Sequence, residues 1–160
     1  MSERYFEDFE IGQRFGSGTT AVTADGIKAF AREFDPQPFH LDPVRARDSL
    51  FGGLVASGWH TMAMTMRLIV ESEMNLAGGV VGGGAEELRW PAPVRPGDVL
   101  HIEIEVLERR VSRSRPEIGI MKVRVTTFNQ GGEVVQLVGP TLITRRRPAD
   151  AGTSAAEGAP

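Results

Sequence analysis

The sequence predicts an α+β domain in which an antiparallel β-sheet wraps one long apolar helix. Three observations carry that prediction. From about Gly58 to Glu73 the spacing is helical, and Trp59, Met62, Ala63, Met66, Ile69 and Val70 are apolar with few charges before Arg67. A helix apolar nearly all round belongs inside a protein. From Ala85 the period falls to two: Leu100, Ile102, Ile104 and Val106 alternate with His101, Glu103 and Glu105, and Met121, Val123 and Val125 alternate with Lys122, Arg124 and Thr126. Helical material therefore precedes strand material, and a sheet curled about the apolar helix is the economical way to bury both.

Taken in order, Tyr5 to Gly12 reads as an extended lead-in closed by a turn at Ile11-Gly12, and Arg14 to Val22 as a first strand. Thr23 opens a helix as N-cap, with Asp25 in the first turn, where the helix dipole favours an acid. Ile27, Phe30, Ala31 and Phe34 fall on one apolar stripe of that helix. Asp42-Pro43 is an N-cap followed by proline at N1, and starts a short polar helix through about Asp48 that Gly52-Gly53 breaks. Gly78 to Gly84 is read as a flexible turn, since a helix precedes it and a strand follows, the reverse of a dinucleotide-binding turn. Glu86 to Trp90 is a strand, Pro91-Ala92-Pro93 and Pro96-Gly97-Asp98 are turns, and Gln130 to Glu133 closes a hairpin. Pro140 puts the strand Val134–Thr144 at a sheet edge or at a bulge.

With 160 residues the chain fits one domain, assigned to residues 1–147, and the Ala-, Gly-, Ser- and Pro-rich tail 148–160 is expected to be disordered. A hydrophobic content of 41%, a charged content of 24% and a net charge of −3 are those of an ordinary globular protein and argue against a nucleic-acid partner. The absence of cysteine excludes disulfides, thiolate metal sites and a cysteine nucleophile. The start Met1-Ser2-Glu3-Arg4-Tyr5 has neither the basic nor the apolar region of a signal peptide, and no apolar run reaches a membrane-spanning length. A cytoplasmic protein without membrane contact is expected.

One stretch concentrates chemistry, Asp35-Pro36-Gln37-Pro38-Phe39-His40. Each proline fixes its own φ and pushes the residue before it out of the α region, so the helix stops and Asp35 and Gln37 are held extended. A carboxylate and an imidazole five positions apart on stiffened backbone are pre-positioned for general acid-base work. The same residues also serve as a plain helix stop, with Asp-Pro opening a turn and His40 a satisfied histidine near the core. Both readings stand on the residues alone.

The stretch resembles the Asp, any residue, Asn, Pro, apolar residue, His pattern of the MaoC-like dehydratase family, the (R)-specific enoyl-CoA hydratases of the hot-dog fold. Gln37 stands where that family more often has Asn, keeping an amide but lengthening it. Gly52-Gly53-Leu54-Val55-Ala56-Ser57-Gly58 is a second matching element, with Ser57-Gly58 where the family usually has His-Gly before its central helix. Trp90-Pro91-Ala92-Pro93-Val94-Arg95-Pro96-Gly97-Asp98 is a third. The resemblance spans roughly residues 5 to 145. It implies a hot-dog domain working as a homodimer, or as an assembly of dimers, with sites near the subunit interface. The implied substrate is an acyl-CoA thioester, with no cofactor beyond that coenzyme A.

Adding water to a double bond conjugated to a thioester needs a base for the water, an acid for C2 and a donor for the enolate oxygen. Asp35 and His40 gripping one water would deliver both parts to the same face, so syn addition to a trans-2-enoyl-CoA is expected; which of the two is the base stays open. The backbone N–H of Gly58, at the start of the apolar helix, is the expected oxyanion donor, and the residue also reads as a simple helix-start glycine. Ser57 reads as helix cap or substrate contact, Gln37 as a brace or substrate contact, and Met62 as core filler or acyl-pocket lining. Arg113 and Arg115, in a strand-connecting loop, and Lys122 are weaker candidates for the phosphates of coenzyme A. His40, His60 and His101 form no zinc-site pattern, so no metal is expected. A hot-dog thioesterase and a non-catalytic acyl-CoA-binding subunit are the rival readings.

Overall fold

The computed structural model of the protein describes residues 2–148. The expected tail therefore lies, apart from Pro148, outside the described residues. The fold is α+β and of the hot-dog type: six antiparallel strands with the helices inserted before and between them. Strands β1 (Arg14–Gly16), β4 (Val99–Val111), β5 (Ile118–Phe128), β6 (Val134–Arg145) and β3 (Val81–Arg89) lie side by side in that order, and β2 (Thr20–Ala21) pairs with β4.

The inner face of the sheet is the alternation seen in the sequence. Leu100, Ile102, Ile104 and Val106 of β4, Met121, Val123 and Val125 of β5, and Val135, Val138 and Leu142 of β6 are all buried. Each fully buried aliphatic side chain of this kind contributes about 1.5–3 kcal/mol. The β5–β6 hairpin closes where expected, with Asn129 Oδ1 accepting from the N–H groups of Gly131 and Glu133.

Several expectations change. The lead-in contains one turn of 3-10 helix, Phe6–Asp8, tied by Asp8 Oδ2 accepting from Tyr5 N–H. The first strand is two short ones, because Ser17 Oγ takes the N–H of Ile102 in place of a ladder bond. The glycine-rich segment, expected as a flexible turn, is strand from Val81 on, and β3 lies at the edge of the sheet beyond β6. Pro140 consequently sits in an inner strand, and the bulge alternative applies to its neighbour. Strand β3 shifts register between Gly82 and Gly84 and between Glu86 and Arg89, on both sides of the Ala85–Pro140 pair.

Helix α1 (Ala24–Phe34) is capped by Thr23, whose Oγ1 accepts from Gly26 N–H, and buries Ile27 and Ala31. Two short helices follow, α2 (Pro38–Leu41) and α3 (Pro43–Arg47), the latter capped by Asp42 Oδ1 accepting from Val44 and Arg45. Helix α4 (Gly58–Val70) is capped by Ser57 and packs on the sheet through Thr61, Thr65, Leu68 and Ile69. It ends three residues before the expected Glu73, and Ser72 Oγ closes it on the carbonyl of Ile69. It is not apolar-buried all round: Trp59, Met66 and Val70 are exposed on its outer side. No helix among the described residues is long and apolar enough to cross a membrane.

Candidate active site

Helix α1 ends at Asp35, whose N–H still bonds to Ala31 while its φ of −151° and ψ of 70° leave the helix. Gln37 is extended, as the proline after it requires. Pro38 then starts α2, with its fixed φ suited to the first helical position. This one-turn helix turns His40 back towards Asp35. His40 Nε2 lies 3.4 Å from Asp35 Oδ2, with the His40 and Asp35 side chains 6% and 19% exposed.

The other imidazole nitrogen settles the tautomer. His40 Nδ1 is 2.7 Å from the carbonyl of Val55, a group that only accepts, so Nδ1 carries the proton. In the neutral ring Nε2 is then a bare acceptor facing a carboxylate. Two acceptors at this distance are reconciled by a proton or a water donating to both. Around them, Gln37 Nε2 donates to Asp35 Oδ1 at 2.8 Å, and Ser57 also hydrogen-bonds the Asp35 carboxylate. Burial works to raise the Asp35 pKa, but the Ser57 and Gln37 hydrogen bonds and the charge of protonated His40 outweigh it and hold the group below its ordinary value.

Gly58 is the first residue of α4 and its N–H has no acceptor within the helix. Asp35, Gln37, His40, Ser57 and Gly58 all line one cavity of about 500 Å³, walled by Phe39, Phe51, Trp59 and the segment Trp90–Val94. Ser57 does two jobs, since its Oγ also accepts from Trp59 N–H as helix cap.

The remaining candidates lie elsewhere. Met62 faces the sheet, its Sδ 3.5 Å from Gln136 Nε2. Arg113 and Arg115 sit beyond Val111, at the far end of β4 from the cavity, and Arg115 is paired with Glu117 at 2.9 Å. Lys122 is 3.4 Å from Glu86 and 3.9 Å from Glu108. Val55, whose carbonyl orients His40, and Trp90, whose ring covers Gly58, were not singled out from the sequence. Trp90 does open the third motif, so its position was legible though its contact was not.

A family model described as a MaoC like domain matches residues 8–129. An uncharacterized protein of Bacillus subtilis, YdeM, is 36% identical over 124 residues, spanning 78% of this chain and 86% of that one. The 3-hydroxybutyryl-CoA dehydratase of Methylorubrum extorquens is 29% identical over 143 residues, 87% of this chain and 82% of that one. Among solved structures, the MaoC-like dehydratase of Rhodospirillum rubrum is similar with a TM-score of 0.87 at 54% identity, covering 91% of this chain and 99% of that one.

Proposed function

The chain belongs to the MaoC-like domain family, and on that footing we propose that it adds water across the double bond of a trans-2-enoyl-CoA to give an (R)-3-hydroxyacyl-CoA, or runs the reverse dehydration. The observation that carries the reading is the pair of acceptors, His40 Nε2 and Asp35 Oδ2, 3.4 Å apart at the cavity wall that also presents Gly58.

A water donating one hydrogen to each acceptor has its oxygen lone pair turned outward, towards C3 of a bound enoyl group. Attack forms the C3–O bond, breaks one O–H bond and moves the π pair into the thioester, whose oxygen takes the charge beside the Gly58 N–H. The proton goes to His40 Nε2, which the Nδ1–H bond to Val55 leaves free to accept, while Asp35 keeps its charge and holds the water. As the enolate collapses, the imidazolium returns a proton to C2. Both additions come from the same side, so the outcome is syn. Nothing in this sequence of steps calls for a metal or a cofactor, coenzyme A being part of the substrate.

The exposed outer side of α4 supports a homodimer, and an acyl-CoA substrate together with a cysteine-free chain supports a cytoplasmic location. The test is loss of the conjugated-thioester absorbance when purified protein meets crotonyl-CoA, run beside Asp35→Asn and His40→Ala. The expected result is turnover with the thioester intact, an (R)-3-hydroxy product, and a loss of at least ~100-fold in each variant. Release of free coenzyme A would favour the thioesterase instead. Binding of saturated and unsaturated thioesters alike, without turnover, would favour a binding subunit.

A further inference from the structure

We infer that Trp90 is the wall that limits acyl-chain length and bulk in this site, and that the buried Gln136 holds it there; the inference rests on the acyl-thioester reading above. The indole packs directly on Gly58: a Cβ at that position would stand 2.6 Å from Trp90 Cε2. It also meets Trp59 edge-on, with ring centroids 5.6 Å apart at 77°. A thioester oxygen bound at the Gly58 N–H therefore brings the first acyl carbons alongside this ring.

The ring is pinned rather than merely packed. Trp90 Nε1–H donates to Gln136 Oε1 at 2.9 Å, and an indole nitrogen can only donate, which fixes the orientation of the amide. Gln136 Nε2 donates in turn to Thr65 Oγ1 at 2.9 Å, and Thr65 Oγ1 is 2.8 Å from Thr127 Oγ1. Gln136, Thr65 and Thr127 are each 0% exposed. Burying a glutamine on the inner face of β6, next to Val135, is unfavourable unless its hydrogen bonds are made, and here they are made to the indole and to α4. The chain thus runs from the sheet through the helix to the cavity wall. A methionine wall would yield to a longer chain; a tryptophan held at both its face and its nitrogen does not.

A pocket that discriminates by apolar fit separates substrates one methylene apart by roughly 10–200-fold, so removing a fixed wall changes selectivity more than it changes overall binding. The experiment measures affinity for coenzyme A, butyryl-CoA and octanoyl-CoA by calorimetry, and kcat/KM for the matching trans-2-enoyl-CoAs. It compares wild type with Trp90→Ala, Trp90→Phe and Gln136→Met. The octanoyl-to-butyryl ratio should rise at least ~10-fold in Trp90→Ala. It should rise by less in the other two, one of which keeps an aromatic face without the N–H while the other frees the indole from its anchor. Should Trp90→Ala fail to fold, those two variants decide.

A ratio within twofold of wild type in all folded variants overturns the inference. So does a uniform loss that includes coenzyme A itself, which would set the indole against the pantetheine arm. Wild-type protein that binds saturated thioesters but turns over no enoyl-CoA overturns the hydratase reading while the binding ratio still decides on Trp90. Wild-type protein that binds no thioester overturns both.

Discussion

The Nδ1–H of His40 donates to the carbonyl of Val55 at 2.7 Å, and this bond decides which nitrogen faces Asp35. Val55 sits in the stretch between Gly53 and the helix cap Ser57, so the irregular segment leading into α4 sets the chemistry of a histidine fifteen residues upstream. In solution the neutral ring should therefore be the Nδ1–H tautomer, read from nitrogen-15 shifts of ring-labelled protein at a pH where the ring is neutral. A protonated Nε2 in the neutral ring would mean that the side chain donates to Asp35, leaving no base for the water.

The Asp35 pKa lies below the ordinary 3.8, because hydrogen bonds to the charged form outweigh the burial that opposes them. A lowered acid binds fewer protons in the folded state than in the unfolded one, so its contribution to stability is complete above pH ~4 and is lost as pH falls through the folded value. His60 acts in a higher window. Burial against Phe30, whose ring is stacked 4.8 Å from it, lowers its pKa from 6.5. The unfolded chain takes up that proton first, so stability declines as pH falls below about 6.5. Urea midpoints measured from pH 8 to 3 should fall in both windows. His60→Phe should flatten the upper window alone, and Asp35→Asn the lower.

Gly58→Ala should be far more costly than an alanine at an ordinary helix start. The added methyl meets the Trp90 ring at 2.6 to 2.8 Å, so either the indole or the first turn of α4 has to move. Overpacking of this kind costs about 1–3 kcal/mol. The double variant Gly58→Ala/Trp90→Ala removes the clash, and its destabilisation should be smaller than the sum of the two single effects. Additive losses in urea denaturation would show that the two residues do not press on each other.

Much of this site was readable because its signals are local. Thr23, Asp25 and the stripe Ile27–Phe34 define α1; Asp42-Pro43 defines α3; two prolines mark where Asp35 leaves the helix. What escaped depends on partners remote in sequence. The run Gly82-Gly83-Gly84 carries no side-chain pattern, so its place in β3 is decided by pairing with Leu142 and Thr141 rather than by its own residues. Gln136 falls in step with buried Val138 and Leu142 on the inner face of β6, where the sequence gives no partners for a buried amide; the indole of Trp90 and the hydroxyl of Thr65, both remote in sequence, supply them. Helix α4 is apolar nearly all round, a pattern that predicts burial on every side, yet the described residues cover only the face bearing Thr61, Thr65, Leu68 and Ile69.

The uncovered face of α4 leads to the last expectation. Trp59, Met66 and Val70 are 59%, 39% and 56% exposed, and with Ala63 they fall at i, i+4, i+7 and i+11, one continuous outer stripe. The strand β3 ends the sheet next to β6, so its other edge is unpaired among the described residues, and Val81 on it is 51% exposed. An apolar helix face together with an open strand edge is the surface that a soluble monomer avoids and a homodimer uses. Light scattering behind size exclusion should therefore give twice the chain mass at micromolar concentration. Met66→Glu and Val70→Glu should give the single-chain mass with an unchanged far-ultraviolet spectrum, because each would bury an unpaired carboxylate on association while staying solvated in the monomer. A wild-type monomer would remove the dimer from the reading, and the exposed stripe would then need another partner.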